Sequence, residues 1–526
     1  MGLKPGGCNP GRAGRSVTVT KAGGRSTGRA MPVTSIPTAT RRLVPHRAGP
    51  ALVIVVMLVA LLARMVTFGD PVIQVDEEFY YVNAHAMWRG ALPYVDIWDR
   101  KPIGLFLLYM PAAWLPLRWG VLAYQALATL SLILTALTVA QLARRAAWGA
   151  GALAAALAYV LWPNLLNGVG GQSPIFYNLP MAVAAALIVA AGDRRRRRAL
   201  GCGAMALVGV ALQIKYSAVF EGIFFGLWLL AQEWRARHSP LALLSYGAGL
   251  VALSLAPTAV ALGYYTSIGQ ADAFVFANFL SIAHRNADPA AEMIRNGGTL
   301  VLLLSPLVAM AFGAPAEVRE VRIGGDGAAR RFLFAWFAVA VLGVIVFGTW
   351  FDHYGLPVLV PGCACAAGFF ANPRFGRRIG PAILILVALV GQIVVLVNLR
   401  ARGDAATFAA LSRAVGRGPG CLYVYSGTTM LYAGTGRCRV SRYVVPAHLN
   451  RARENGATGV EQAREVRRIL ALHPAVVVMR PPFSGERSDI RHIVGAAMAR
   501  AYRVVAVRPM GHELITVYKR RDRPNS

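Results

Sequence analysis

The stretch VDEEFYYVNAHAMWRGALPYVDIWDRKPIGLFLLY, Val75 to Tyr109, sets three adjacent acids and a later Arg-Lys-Pro directly beyond an apolar run. That run, Ala51 to Phe68, is apolar except for Arg64, and at about 1.5 Å rise per residue it just crosses a hydrocarbon core of roughly 30 Å. Asp76, Glu77 and Glu78 are therefore expected at a bilayer surface. The rest of the chain agrees: of 526 residues, 56% are hydrophobic and only 15% charged, too apolar for an ordinary soluble protein. The formal net charge of +31 raises nucleic acid as a partner. However, the basic residues fall in short clusters between apolar runs, as in the cytoplasmic loops of membrane proteins, so nucleic acid is set aside.

These clusters give the topology. Residues 1–47 are rich in Gly, Arg, Thr and Pro without a single acid, which predicts a disordered basic cytoplasmic tail. Spans follow at Ala51 to Phe68, Val121 to Leu142, Ala150 to Leu166 and Phe176 to Ala191, the last leading into Arg194 through Arg198. Ala199 to Gln232 is too long for one comfortable span and has basic residues at both ends, so it reads as a hairpin of two short spans turning near Gln213 to Ser217. Five more spans, Leu241 to Gly263, Thr299 to Gly313, Phe332 to Trp350, Gly355 to Ala371 and Ile379 to Leu399, bring the total to eleven. Pro102 to Pro116 is apolar, but Pro111 and Pro116 break it, and it is expected to lie in the interface. The cytoplasmic loops then carry Arg319, Arg322, Arg330, Arg331, Arg374, Arg377 and Arg378, and the membrane domain occupies residues 48–399.

Residues 400–526 change texture to a small α/β domain outside the membrane. Cys421 to Ser426, Ala475 to Met479, Arg503 to Arg508 and Glu513 to Tyr518 have strand character, while Ala405 to Val415, Gly459 to Leu472 and Ser488 to Ala501 have helical character. Cys421 and Cys438 lie in that oxidising compartment and are either paired or two buried thiols.

Several polar residues converge on the outer face, each with a structural and a chemical reading. Asp76 stands where it would cap an interfacial helix running from Glu77 to Arg89, and a carboxylate there could also take a proton from a hydroxyl. Arg100 and Lys101 either snorkel to headgroups or stabilise charge on a phosphate leaving group. Lys215 is costly inside an apolar run unless the hairpin turn delivers it to the surface. Asp352, His353 and Tyr354 occupy a short turn between two spans. A divalent metal near the acids is compatible with their charge, but no ligand spacing calls for a metal or any other cofactor.

The acids of the first outer loop followed by GALPYVDIWDRKP, Gly90 to Pro102, resemble the glycosyltransferase C superfamily, in particular the branch around protein O-mannosyltransferases and the lipid A aminoarabinose transferase. VGVALQIKYSAV, Val208 to Val219, is similar to the mid-chain lysine segment of these proteins, and His353-Tyr354-Gly355-Leu356-Pro357 to their late HY-x-x-P pattern. The resemblance implies a multi-pass transferase of a bacterial plasma membrane. It would use a polyprenyl-phosphate sugar, its N-terminus would be cytoplasmic and its C-terminal domain extracytoplasmic. It also implies Asp76 as general base with Glu77 shaping its charge, and Lys101, Lys215 and His353 as phosphate-binding groups, with Arg100 and Tyr354 beside them. The lipid tail would lie between spans. Relatives often carry a second acid in the second outer loop, whereas this chain reads GGQSPIFYNLP, Gly170 to Pro180, so Glu77, Glu78 or Asp96 would have to substitute.

The expectation is an inverting transfer of one sugar to a lipid-linked glycan, lipid, polysaccharide or protein acceptor. Two alternatives stand beside it. One is a transporter or flippase of polyprenyl-linked glycans, which should place its polar groups near the midplane in repeated or broken helices. The other is an inactive relative that only binds lipid carriers.

Overall fold

The computed structural model describes residues 49–191, 196–313 and 325–521. The expected basic tail, Arg194, Arg195, Arg319 and Arg322 lie outside the described residues. Apolar composition over whole turns builds the helices α1 (Pro50–Arg64), α2 (Val75–Met87), α3 (Ile103–Ala113), α4 (Leu117–Arg145), α5 (Ala152–Leu161) and α6 (Ser173–Ala190). They are followed by α7 (Arg197–Leu212), α8 (Val219–Arg235), α9 (Pro240–Ser267), α10 (Ala271–Val275), α11 (Ala290–Phe312), α12 (Gly325–Phe347), α13 (Leu359–Phe370) and α14 (Gly376–Arg402).

Among the described residues, nine helices are long and apolar enough to cross a membrane. α7 and α8, of 16 and 17 residues, stand where the two short spans of the hairpin were expected and fall below that length. The protein is thus a polytopic helical membrane protein. α5 and α13 pack against each other at the centre, whereas α1 keeps Ile54, Leu58 and Leu62 exposed, a cost in water but the normal state of a lipid-facing helix. The basic loops share one end of the bundle: the Arg330 guanidinium donates to the Ala146 carbonyl at 2.8 Å and stacks on Trp148, just past Arg144 and Arg145.

α3 is only 11 residues long and packs along α2; it runs through Pro111, which was expected to break it, and Pro116 marks the start of α4. One local expectation is corrected. α2 begins at Val75, and its N-cap is Gln74, whose side-chain oxygen accepts from the Val75 amide, so Asp76 is a first-turn residue and not the cap. Two features had no forecast, a short helical segment Ala271–His284 and the early start of α11 at Ala290.

After α14, Asp404 caps α15 (Ala405–Val415), and a four-stranded sheet forms from β1 (Leu422–Val424), β2 (Val476–Met479), β3 (Tyr502–Met510) and β4 (Glu513–Arg520) in the order β1-β2-β4-β3. β1 and β2 are parallel, with Val424 opposite Val478, and their apolar residues are buried on both faces, between α15, α16 (Gln462–Ala471) and α17 (Ser488–Ala501). Cys421 and Cys438 are joined as a disulfide. This region sits on the end of the bundle that carries α2 and α3. Thr428 and Thr429 donate to the Glu78 carboxylate at 2.6 to 3.3 Å, and the Trp98 amide donates to the Arg442 carbonyl at 2.9 Å.

Candidate active site

The first turn of α2 points three consecutive carboxylates three ways, because each helical residue advances about 100°. Glu78 faces the sheet region. Glu77 turns into the bundle beneath the second loop, where a Cβ on Gly170 would collide with its carboxylate and one on Gly171 with the Tyr109 hydroxyl. Burial pushes the Glu77 carboxyl up to about 7 against the pull of the Gly171 amide, Tyr124 and Arg64. The two glycines thus let the loop lie on Glu77, and Gln172, fully buried, reaches Asp76 and donates to its Oδ2 at 3.3 Å.

Asp76 alone faces the cations, with about a fifth of its side chain exposed. His353 Nε2 stands 3.7 Å from its Oδ2. His353 is stacked parallel to Phe351, with ring centroids 6.1 Å apart, and meets Tyr354 edge-on at 4.8 Å. Lys215 projects from the extended break between α7 and α8, its Nζ 4.8 Å from the centre of the Tyr354 ring. Lys101 follows a tight bend held by the Tyr94 hydroxyl, which donates to the Lys101 carbonyl at 2.8 Å, and its ammonium lies 5.7 Å from the Tyr80 ring.

The electrostatics follow from this crowding. Burial opposes ionisation of Asp76, but Lys101, then His353 and Lys215, outweigh it and hold the carboxyl down at about 2. Burial likewise works against the Lys101 ammonium, yet Tyr80, Asp76 and Asp99 leave its pKa raised. Lys215 is brought down to about 7 by burial and by Lys101, with only Asp76 opposing. The cluster thus holds two lysines and a histidine around one ionised acid.

The structure brings together Asp76, Lys101, Lys215, His353 and Tyr354. Arg100, expected at the phosphate, instead pairs with Glu454 of the sheet region at 2.5 Å. Of the acids offered as substitutes for the missing second-loop acid, Glu77 lies against that loop at Gly170, whereas Glu78 is engaged by Thr428 and Thr429, and Asp96 accepts from the Leu92 amide at 2.8 Å. Two residues were missed. Gln172 has no sequence signal beyond the glycines before it. Asp99, 3% exposed with Oδ2 unpartnered, could have been suspected from its position two residues before Lys101.

From Lys215 and Tyr354 a narrow apolar crevice runs between α8 and α12, lined by Phe220, Ala340, Gly343, Val344 and Phe347. Among the described residues, no three His, Cys, Asp or Glu side chains converge to hold a metal ion.

No protein-family profile and no curated protein matches the sequence. Among solved structures, the chain is similar to ArnT from Cupriavidus metallidurans bound to undecaprenyl phosphate, 14% identical with a TM-score of 0.60 over 89% of this chain and 98% of that one. It is also similar to the apo oligosaccharyltransferase of Archaeoglobus fulgidus, 12% identical with a TM-score of 0.50 over 82% of this chain and 69% of that one. The chain therefore shares the fold of these two membrane proteins.

Proposed function

We propose that the protein is a membrane glycosyltransferase that moves one sugar from a polyprenyl-phosphate carrier to an acceptor hydroxyl on the outer face of a bacterial plasma membrane. The observation that carries this reading is the meeting of Asp76 with Lys101, Lys215 and His353 at the head of an apolar crevice. A phosphate suits the cations, and the apolar side chains beside them suit contact with a polyprenyl chain. The solved ArnT structure of the same fold has undecaprenyl phosphate bound. The disulfide between Cys421 and Cys438 supports an oxidising, extracytoplasmic place for the sheet region, with the basic loops at the opposite end in the cytoplasm.

In the reaction, the acceptor oxygen attacks the anomeric carbon as its proton passes to the Asp76 carboxylate. The bond from that carbon to the phosphate oxygen breaks with inversion, and polyprenyl phosphate leaves against Lys101 and Lys215. A carboxyl held at about 2 is a weak base. Donor binding corrects this: a phosphate that engages both lysines screens their field, so Asp76 gains basicity only when the sugar is in place. Glu77 takes a positioning role, holding the loop that presents Gln172 to Asp76.

The test is transfer of a radiolabelled sugar from polyprenyl phosphate by the purified protein and its Asp76→Asn variant. Transfer by the wild type and its loss in the variant are expected, with donor binding retained. Unchanged transfer by the variant removes the general-base assignment. The neutral Gln172, at the loop where relatives carry an acid, favours a second reading, a lipid-carrier-binding protein without catalysis. Donor binding without transfer by the wild type selects it.

A further inference from the structure

A polar opening of about 510 Å³ lies away from the Asp76 cluster, between the first-loop bend and the sheet region. Asp96, Arg439, Ser441, Arg442, Glu465 and Arg468 line it. Its charges are unequally satisfied. Glu465 is taken by Ser441 at 2.6 Å and by Arg468 at 2.6 and 2.7 Å, so that pair is closed. Arg442 donates only to the neighbouring Tyr443 hydroxyl at 2.8 Å, and Arg439 makes no side-chain hydrogen bond among the described residues, with its Nη1 buried and unpartnered. Arg89, exposed at the end of α2, reaches the same chain segment near Gly436. Four guanidinium groups, those of Arg89, Arg439, Arg442 and Arg468, therefore share two carboxylates, Asp96 and Glu465.

The backbone that carries Arg439 and Arg442 is also held in place. Arg439 directly follows Cys438, which is bonded to Cys421, and the Leu422 amide donates to the Cys438 carbonyl at 2.9 Å. The Arg442 carbonyl is tied to Trp98 at 2.9 Å. A buried guanidinium edge with no acceptor costs free energy, and a fixed fork of donors matches the two oxygens of a carboxylate or phosphate. We propose that this opening binds the acidic part of the acceptor, a glycan bearing carboxylate or phosphate groups. Its lining is polar and comes from the bend and the sheet region rather than from the apolar helices, which favours a glycan over a lipid headgroup. Its open shape suits a chain lying across the surface. Assigning the ligand to the acceptor rests on the transferase reading; anion binding by these arginines does not.

The experiment uses the full-length protein in phosphatidylcholine nanodiscs with fluorescent trigalacturonate as the acidic probe and maltotriose as the neutral one. Trigalacturonate is expected to bind the wild type and Asp76→Asn equally, more weakly at higher salt, while maltotriose does not bind. In an Arg439→Gln, Arg442→Gln double variant that melts at the wild-type temperature, its affinity falls at least tenfold. In Arg89→Gln, a change on an exposed side chain, it falls a few-fold. Equal affinity in the wild type and both arginine variants overturns the proposal, as does loss of probe binding when phosphatidylglycerol replaces phosphatidylcholine, which would give the opening to lipid headgroups. Because binding is read without turnover, absence of transfer by the wild type would count against the transferase reading and leave this result legible.

Discussion

Asp76 and Glu454 are both carboxylates set among cations, and they are built in opposite ways. Around Glu454, Arg100 stands at 2.5 Å and Arg285 at 3.1 Å, while Arg453 pairs with Asp288 at 3.3 Å, so three separate segments of chain are clasped together. Around Asp76 the nearest basic nitrogen, Nε2 of His353, is 3.7 Å away, and neither Lys101 nor Lys215 forms a contact ion pair among the described residues. Charges in contact hold the sheet region to the first loop. Charges kept apart leave room for a ligand to complete them, and they remain apart because each is braced by its own aromatic ring, Tyr80 for Lys101 and Tyr354 for Lys215.

If the contrast is correct, damage at the two places differs in kind. The largest effect belongs to Asp76→Asn, expected to lower kcat by about 10²- to 10⁴-fold while donor affinity holds or improves, because the lysines lose their competitor. A parallel fall in donor affinity would break the contrast. Lys101→Met should follow, with kcat down by about 10²- to 10³-fold as the departing phosphate loses its fixed cation, checked by single-turnover transfer. Glu454→Gln should leave Arg100 without its acidic partner and Arg285 and Arg453 with Asp288 alone, and cost about 3–5 kcal/mol of stability, read as a lowered melting temperature in detergent with the activity of the surviving folded fraction little changed.

The smallest effect sharpens the picture through pH. The donor phosphate selects protonated Lys215, whose pKa in the empty site is about 7, so donor affinity is full below that pH and declines by up to about tenfold per unit above it. In Lys215→Met the donor Kd measured between pH 6 and 9 should lose this slope.

How much of this was legible depended on how local the determinants are. The strands after residue 400 are short apolar runs and the helices follow a 3.6-residue period, and they appear close to where those patterns place them. The break carrying Lys215 was legible because basic residues at both ends of one apolar run force a turn. The separate fates of Asp76, Glu77 and Glu78 were not. Successive helical residues differ by about 100° in direction, and which direction meets the sheet region, the second loop or the cations is set by contacts distant in sequence. Nor could Arg100 be told from Lys101, since the partner that claims it, Glu454, lies 354 residues further along the chain.

The bond from Thr428 to Glu78 spans 350 residues, and that distance is also an interval of time. At about 5–20 residues per second, the ribosome finishes α2 roughly 20 to 70 s before it makes the threonines that satisfy its buried acid. During that interval Glu78 needs water or another protein at the bilayer surface, and the first loop cannot settle until the sheet region arrives. A C-terminal truncation would therefore leave the membrane half waiting for a partner, a natural substrate for membrane quality control.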